Sequence, residues 1–150
     1  LSGRNAAFPE LHYQTVKTDG LQLDVITTDA DRLSYQIESL SLQKTEKERA
    51  DLARVKLQAA QLEQQITYLL EDIALIELDR LACKALLKSR VPRNEGDSIY
   101  YYELLLDQGD ALSLVRTRYD KESGTKTTIP MTLTCEVVER LLNDTGKILS

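Results

Sequence analysis

Tyr100 and Tyr102 alternate along one strand-like run, Ser98 to Asp107, and Arg116 and Arg118 alternate along the next, Ala111 to Asp120. Rings on one face of a strand, beside cations on one face of its neighbour, make a platform on which single-stranded nucleic acid can stack. Lys84, Lys88, Arg90 and Arg93 cluster just before them. The opposing term is the formal net charge of −5, whose summed field repels phosphate. Half-buried sheet tyrosines, and lysines that answer a helix dipole, account for the same residues without a ligand. The four residues therefore stand as candidate partner-binding residues. Nucleic acid is expected not to be a principal ligand, and the platform is the alternative function.

Other chemistry is sparse. A Ser, Cys or Thr nucleophile needs a base, and the single histidine, His12, has no spacing that ties it to Ser113, Cys83 or Cys135. Near the open end of a hairpin it reads as an ordinary rim residue. Cys83 and Cys135 form neither a CxxC motif nor a metal-ligand cluster, so both are expected to be reduced, buried thiols. The six glycines are scattered as turn and cap residues rather than gathered in a phosphate loop. Glu71-Asp72 and the Glu77/Asp79 pair read as solvated charge on a helix rather than a general acid and base. No catalytic residue, metal or cofactor is expected.

The elements that would position these residues follow from pattern. Residues 1–10 mix small and polar types without periodicity and are expected to be a flexible arm or a cloning remnant. Residues 11–28 alternate around Asp19-Gly20, a type I′ turn signal, and predict a β-hairpin with Thr18 opposite Leu21. Between Gly20 and Pro92 there is no Gly or Pro, and helix formers dominate, so residues 29–91 predict one long helix capped at Thr27 or Thr28. Its length would be about 90 Å, at 1.5 Å per residue for roughly 60 residues. The polar stretch Ser41 to Arg49 is read as a solvated length of that helix rather than a bend.

Within it, steps of three and four link Leu52, Val55, Ala59, Leu62, Ile66, Leu69, Ile73, Ile76, Arg80, Cys83 and Leu87. Such spacing predicts a heptad seam and hence a coiled coil, as a homodimer or with a different helix. Additional apolar residues from Leu69 to Leu87 suggest a second packing partner, taken to be the β elements that follow. Residues 97–149 predict a three-stranded antiparallel meander, with Pro130 marking an edge. A short helix follows, capped at Thr132 or Thr134, carrying Val137, Val138, Leu141 and Leu142 and closed by Gly146.

The expected fold is thus α+β: an N-terminal β-hairpin, one long coiled-coil helix, and a C-terminal meander with a short helix. This layout resembles that of subunits of chromosome-segregation and other multi-protein assemblies. The resemblance implies a scaffold that dimerises through the coiled coil and offers a small docking end to other protein subunits. Hydrophobic residues at 42% and charged residues at 29% fit a soluble chain. No apolar run reaches the ~18 residues a membrane span needs, so a cytoplasmic or nuclear location is expected.

Overall fold

The computed structural model describes residues 12–18, 20–30, 33–48 and 51–150. The arm expected at residues 1–10 and the side chain of His12 lie outside them. Strands β1 (His12–Thr18) and β2 (Leu21–Ala30) form the expected hairpin, with Thr18 opposite Leu21 and Val16 opposite Leu23. Gly20 takes the turn at a φ of 77°, a conformation that glycine adopts without steric cost. The alternation continues further than expected. Strand β3 (Ser34–Lys44) pairs antiparallel with β2, placing Leu42 opposite Leu23 and Leu40 opposite Val25.

Among the described residues of the span expected as one long helix, 14 are helical: α1 (Leu52–Gln65), capped by Asp51, whose carboxylate accepts the Ala53 N–H at 3.0 Å. The stretch Ser41–Lys44 belongs to β3, and Thr27 and Thr28 are strand residues rather than helix caps. Beyond α1 come β4 (Ile73–Asp79) and β5 (Lys84–Ser89), an antiparallel hairpin. The coiled coil is therefore overturned, and with it the layout resemblance that depended on it.

The physical cause is a coincidence of periods. Val55, Ala59 and Leu62 keep helical spacing because they form the stripe of α1 that faces the sheet. Ile73 and Leu87 continue the count only by falling on the inner face of two strands, opposite Ser89 and Leu75. Leu52 begins α1, Ile66 ends it, Leu69 lies in the following loop, Ile76 is a bulge residue of β4, and Cys83 lies in the hairpin turn. That turn needs no Gly or Pro, since Asp79 Oδ1 accepts the N–H groups of Leu81 and Ala82, and Cys83 itself adopts a φ of 53°.

The remaining strands are β6 (Arg93–Glu95), β7 (Ser98–Asp107), β8 (Ala111–Asp120), β9 (Thr125–Ile129) and β10 (Met131–Thr134), and the chain closes on α2 (Cys135–Leu149). Thr134 caps α2 by accepting the Val137 N–H at 3.1 Å. Gly146 does not end this helix but sits inside its last turn. Among the described residues, all ten strands join one antiparallel sheet, ordered β1-β2-β3-β8-β7-β5-β4. The sheet forks where β8 leaves β3: β9 pairs with β8, and after Pro130 the chain crosses over so that β10 pairs with β3. Pro130 therefore marks the switch between two strand partners.

Both helices cover one face of the sheet, α1 over β4, β5 and β7 and α2 over β3, β8 and β10. Between them lie Ile37, Leu40, Leu42, Leu87, Leu104, Leu106, Leu114 and Met131, packed on Val55, Leu62, Leu141 and Leu149. A mainly β, two-layer domain, whose outer face carries no helix among the described residues, replaces the rod with a docking end. Arg54 and Gln58 of α1 tie the layers together. Arg54 donates to the carbonyls of Gly109, in the β7–β8 turn, and Leu149, at the end of α2; Gln58 Nε2 donates to those of Gly109 and Ile148.

Candidate docking edge

The tyrosine and arginine set meets in space, on the inner face rather than an open one. Tyr102 lies opposite Arg116 and Tyr100 opposite Arg118. Tyr102 is buried, with the Arg116 guanidinium 4.4 Å from its ring centroid. Arg116 forks onto Glu71, Nη2 to Oε2 at 3.0 Å and Nη1 to Oε1 at 3.3 Å. Ser89 Oγ donates to Glu71 Oε1 at 2.7 Å and accepts the Tyr102 N–H at 2.8 Å. Burial pushes the Tyr102 hydroxyl above its ordinary pKa, Arg116 opposing and Glu71 reinforcing the shift. The centre of the supposed stacking platform is thus occupied by an internal polar network. Toward the rim, Arg93 stands over Tyr100 at 5.9 Å, and exposed Arg118 donates to Ser98 Oγ at 3.1 Å.

Glu71, read from sequence as solvated helix charge, is the carboxylate that organises this network. Its partners lie 18 and 45 positions away, and pairing at such separations leaves no mark in local periodicity. On the outer face, the sequence reading passed over Tyr101, which carries Lys88 5.2 Å and Lys126 5.9 Å from its ring centroid. Beside it a shallow hollow of about 390 Å³ has Leu86, Leu105 and Val115 in its lining, with the Glu103–Lys126 ion pair at its margin. The two cysteines are free and partly exposed, and Cys83 donates weakly to Arg80 O.

The β4 edge differs from the rest of the surface. Among the described residues, ten large hydrophobic side chains are exposed, and five of them, Leu70, Leu75, Ile76, Leu81 and Val91, belong to the β4–β5 hairpin and its flanks. Leu70 and Leu81 are essentially fully exposed, which no packing among the described residues explains. β4 is the last strand of the sheet. Its register shifts between Leu75 and Glu77, so Ile76 is the extra residue of a β-bulge. One edge donor is already taken, since the Leu75 N–H donates to Glu63 Oε2 of α1 at 3.0 Å.

Among the described residues no three His, Cys, Asp or Glu side chains gather as a metal site, and no helix is long and apolar enough to cross a membrane. In comparisons with known proteins, no family model, curated protein or solved structure matches this chain.

Proposed function

We propose that the chain is a non-enzymatic protein-binding module, a subunit of a larger assembly, that takes its protein partner on the β4–β5 hairpin. The observation that carries this reading is that five of the ten exposed large hydrophobic side chains among the described residues, Leu70, Leu75, Ile76, Leu81 and Val91, fall on one edge hairpin and its flanks. Exposed aliphatic side chains on an edge strand invite association, and a chain that keeps them gains where a partner covers them. The shallow hollow that Leu86, on β5 of the same hairpin, helps to line adds to the surface. Partner choice through Tyr102 and Arg116 is not part of this reading, because Glu71 and burial already occupy them.

The test compares capture by the intact chain with capture by the double variant Leu81→Asp, Val91→Asp. A control variant carries Leu33→Asp and Leu57→Asp, exposed leucines elsewhere on the surface. Proteins held by the intact chain and the control, and lost with the hairpin variant, support the reading. Equal capture by all three moves the binding surface off the hairpin.

A further inference from the structure

We infer that β4 is a strand-accepting edge gated by Glu63, and that its ligand is a short extended peptide segment, apolar in the middle and basic at its ends. This rests on the hairpin-docking reading above and states how docking occurs. The backbone supplies the first part of the case. The Arg90 N–H donates to Asp72 O, and Ile73, Ala74 and Leu75 then pair with Ser89, Lys88 and Leu87. In an antiparallel ladder alternate residues turn their N–H and C=O groups to opposite sides. Asp72 and Ala74 thus face β5, whereas Ile73 and Leu75 point their groups away from it.

Glu63 supplies the second part. Its carboxylate receives the outward Leu75 N–H at 3.0 Å, where the carbonyl of an added strand would lie. An arriving segment replaces that carboxylate with its own carbonyl. The bulge at Ile76 bends the edge and limits the receptive stretch to residues 72–76, which selects a short segment. Within it Leu75 and Ile76 are exposed.

Charge selects the occupant. Exposed Asp72, Glu77 and Asp79 and partly exposed Glu63 border the edge, against Arg80 after it, Arg90 opposite Asp72 and Lys84 opposite Asp79, so the acidic excess lies at Glu63 and Glu77. A basic segment meets complementary charge there, whereas a second copy of this chain sets the same four carboxylates against themselves.

The experiment titrates the isotope-labelled full chain with a blocked nonapeptide of alternating valine and threonine bearing lysine at each end, read by amide chemical shifts. The largest shifts are expected at Ile73 to Glu77. Glu63→Ala should tighten binding by about fivefold, since the incoming carbonyl then has no competitor for the Leu75 N–H. Glu63→Gln keeps an acceptor at that site and should bind well short of that gain. A peptide N-methylated at alternate residues should bind at least about tenfold more weakly, because the added ladder is lost. Equal binding of the N-methylated peptide would overturn strand addition. Equal binding of a glutamate-ended peptide would overturn the basic ligand, as would peptide-free dimerisation of Glu63→Ala through β4. If Leu81→Asp, Val91→Asp abolishes partner capture while these peptide results fail, the hairpin remains the docking surface and only the strand mechanism falls.

Discussion

Arg116 and Glu71 meet at 3.0 Å with 12% and 14% of their side chains exposed, under the ring of Tyr102 and at the end of the hydrophobic core. A charge pair this enclosed costs desolvation on both sides, and removing one partner strands the other. Arg116→Ala or Glu71→Ala should each destabilise the chain by about 3 kcal/mol in urea unfolding. The joint replacement Arg116→Met, Glu71→Leu should restore most of that loss. Single variants that unfold like the parent would mean that water reaches the pair freely.

The β7–β8 turn and the end of α2 contain two glycines with opposite requirements. Gly109 holds a φ of 77°, and a Cβ there would come within 3.3 Å of Gln58 Oε1. Gly109→Ala should cost about 1–2 kcal/mol from the left-handed backbone alone. Gly146 sits within α2, where an added Cβ would rest 3.4 Å from Leu21 Cδ1, ordinary van der Waals contact. Gly146→Ala should therefore stabilise by about 0.5–1 kcal/mol through helix propensity. A loss of stability at Gly146→Ala would show that α2 ends where the sequence suggested.

Tyr68 gives a pH signature. Its hydroxyl donates to Asp144 Oδ2 at 2.9 Å, and burial, then this hydrogen bond and the Asp144 charge, push its pKa well above the ordinary 10.0. A group whose folded pKa is raised keeps its stabilisation below the unfolded value and loses it as pH climbs toward the folded one. Stability should thus fall as pH rises beyond about 10, where the unfolded chain releases the proton first. Tyr68→Phe should flatten that fall in denaturant titrations between pH about 9 and 11, leaving the smaller share due to Tyr102.

Legibility in the sequence follows the range of the forces involved. The β1–β2 hairpin, the β7–β8–β9 meander and the Thr134-capped helix α2 rest on turn glycines, alternation and a cap, all within a few residues of one another. Residues 29–91 read as helix because their turns lack Gly and Pro and their strands are built largely from helix formers. Lys84 to Ser89 is an instance: its buried Ala85, Leu87 and Ser89 alternate with Lys84, Leu86 and Lys88, a period of two that the count of threes and fours concealed. Leu40-Ser41-Leu42 in β3 carried the same signal. At the polar network, the facing of Tyr102 and Arg116 was readable from alternation, whereas Glu71 and Ser89 entered through pairings that only the tertiary fold creates.

Ile66 and Ile73 distinguish the two architectures by experiment. On a coiled-coil seam, aspartate at both positions separates two chains and leaves each folded. Here the two side chains are 0% and 1% exposed inside a single subunit, Ile66 at the end of α1 and Ile73 on the inner face of β4. A carboxylate at either site loses the isoleucine's packing and is buried without a partner, so each substitution should cost at least about 4 kcal/mol. That is a large part of the ~5–15 kcal/mol that holds a domain of this size together. Ile73→Asp should therefore abolish the cooperative thermal transition and the dispersed amide spectrum. Leu81→Asp, at a fully exposed hairpin tip, should leave both within about 0.5 kcal/mol of the parent. The informative comparison is between these two aspartate substitutions in one hairpin, Ile73→Asp and Leu81→Asp, measured by circular dichroism and by mass in solution. A folded Ile73→Asp chain of reduced mass would restore the seam as an interface between subunits and remove β4 from the core.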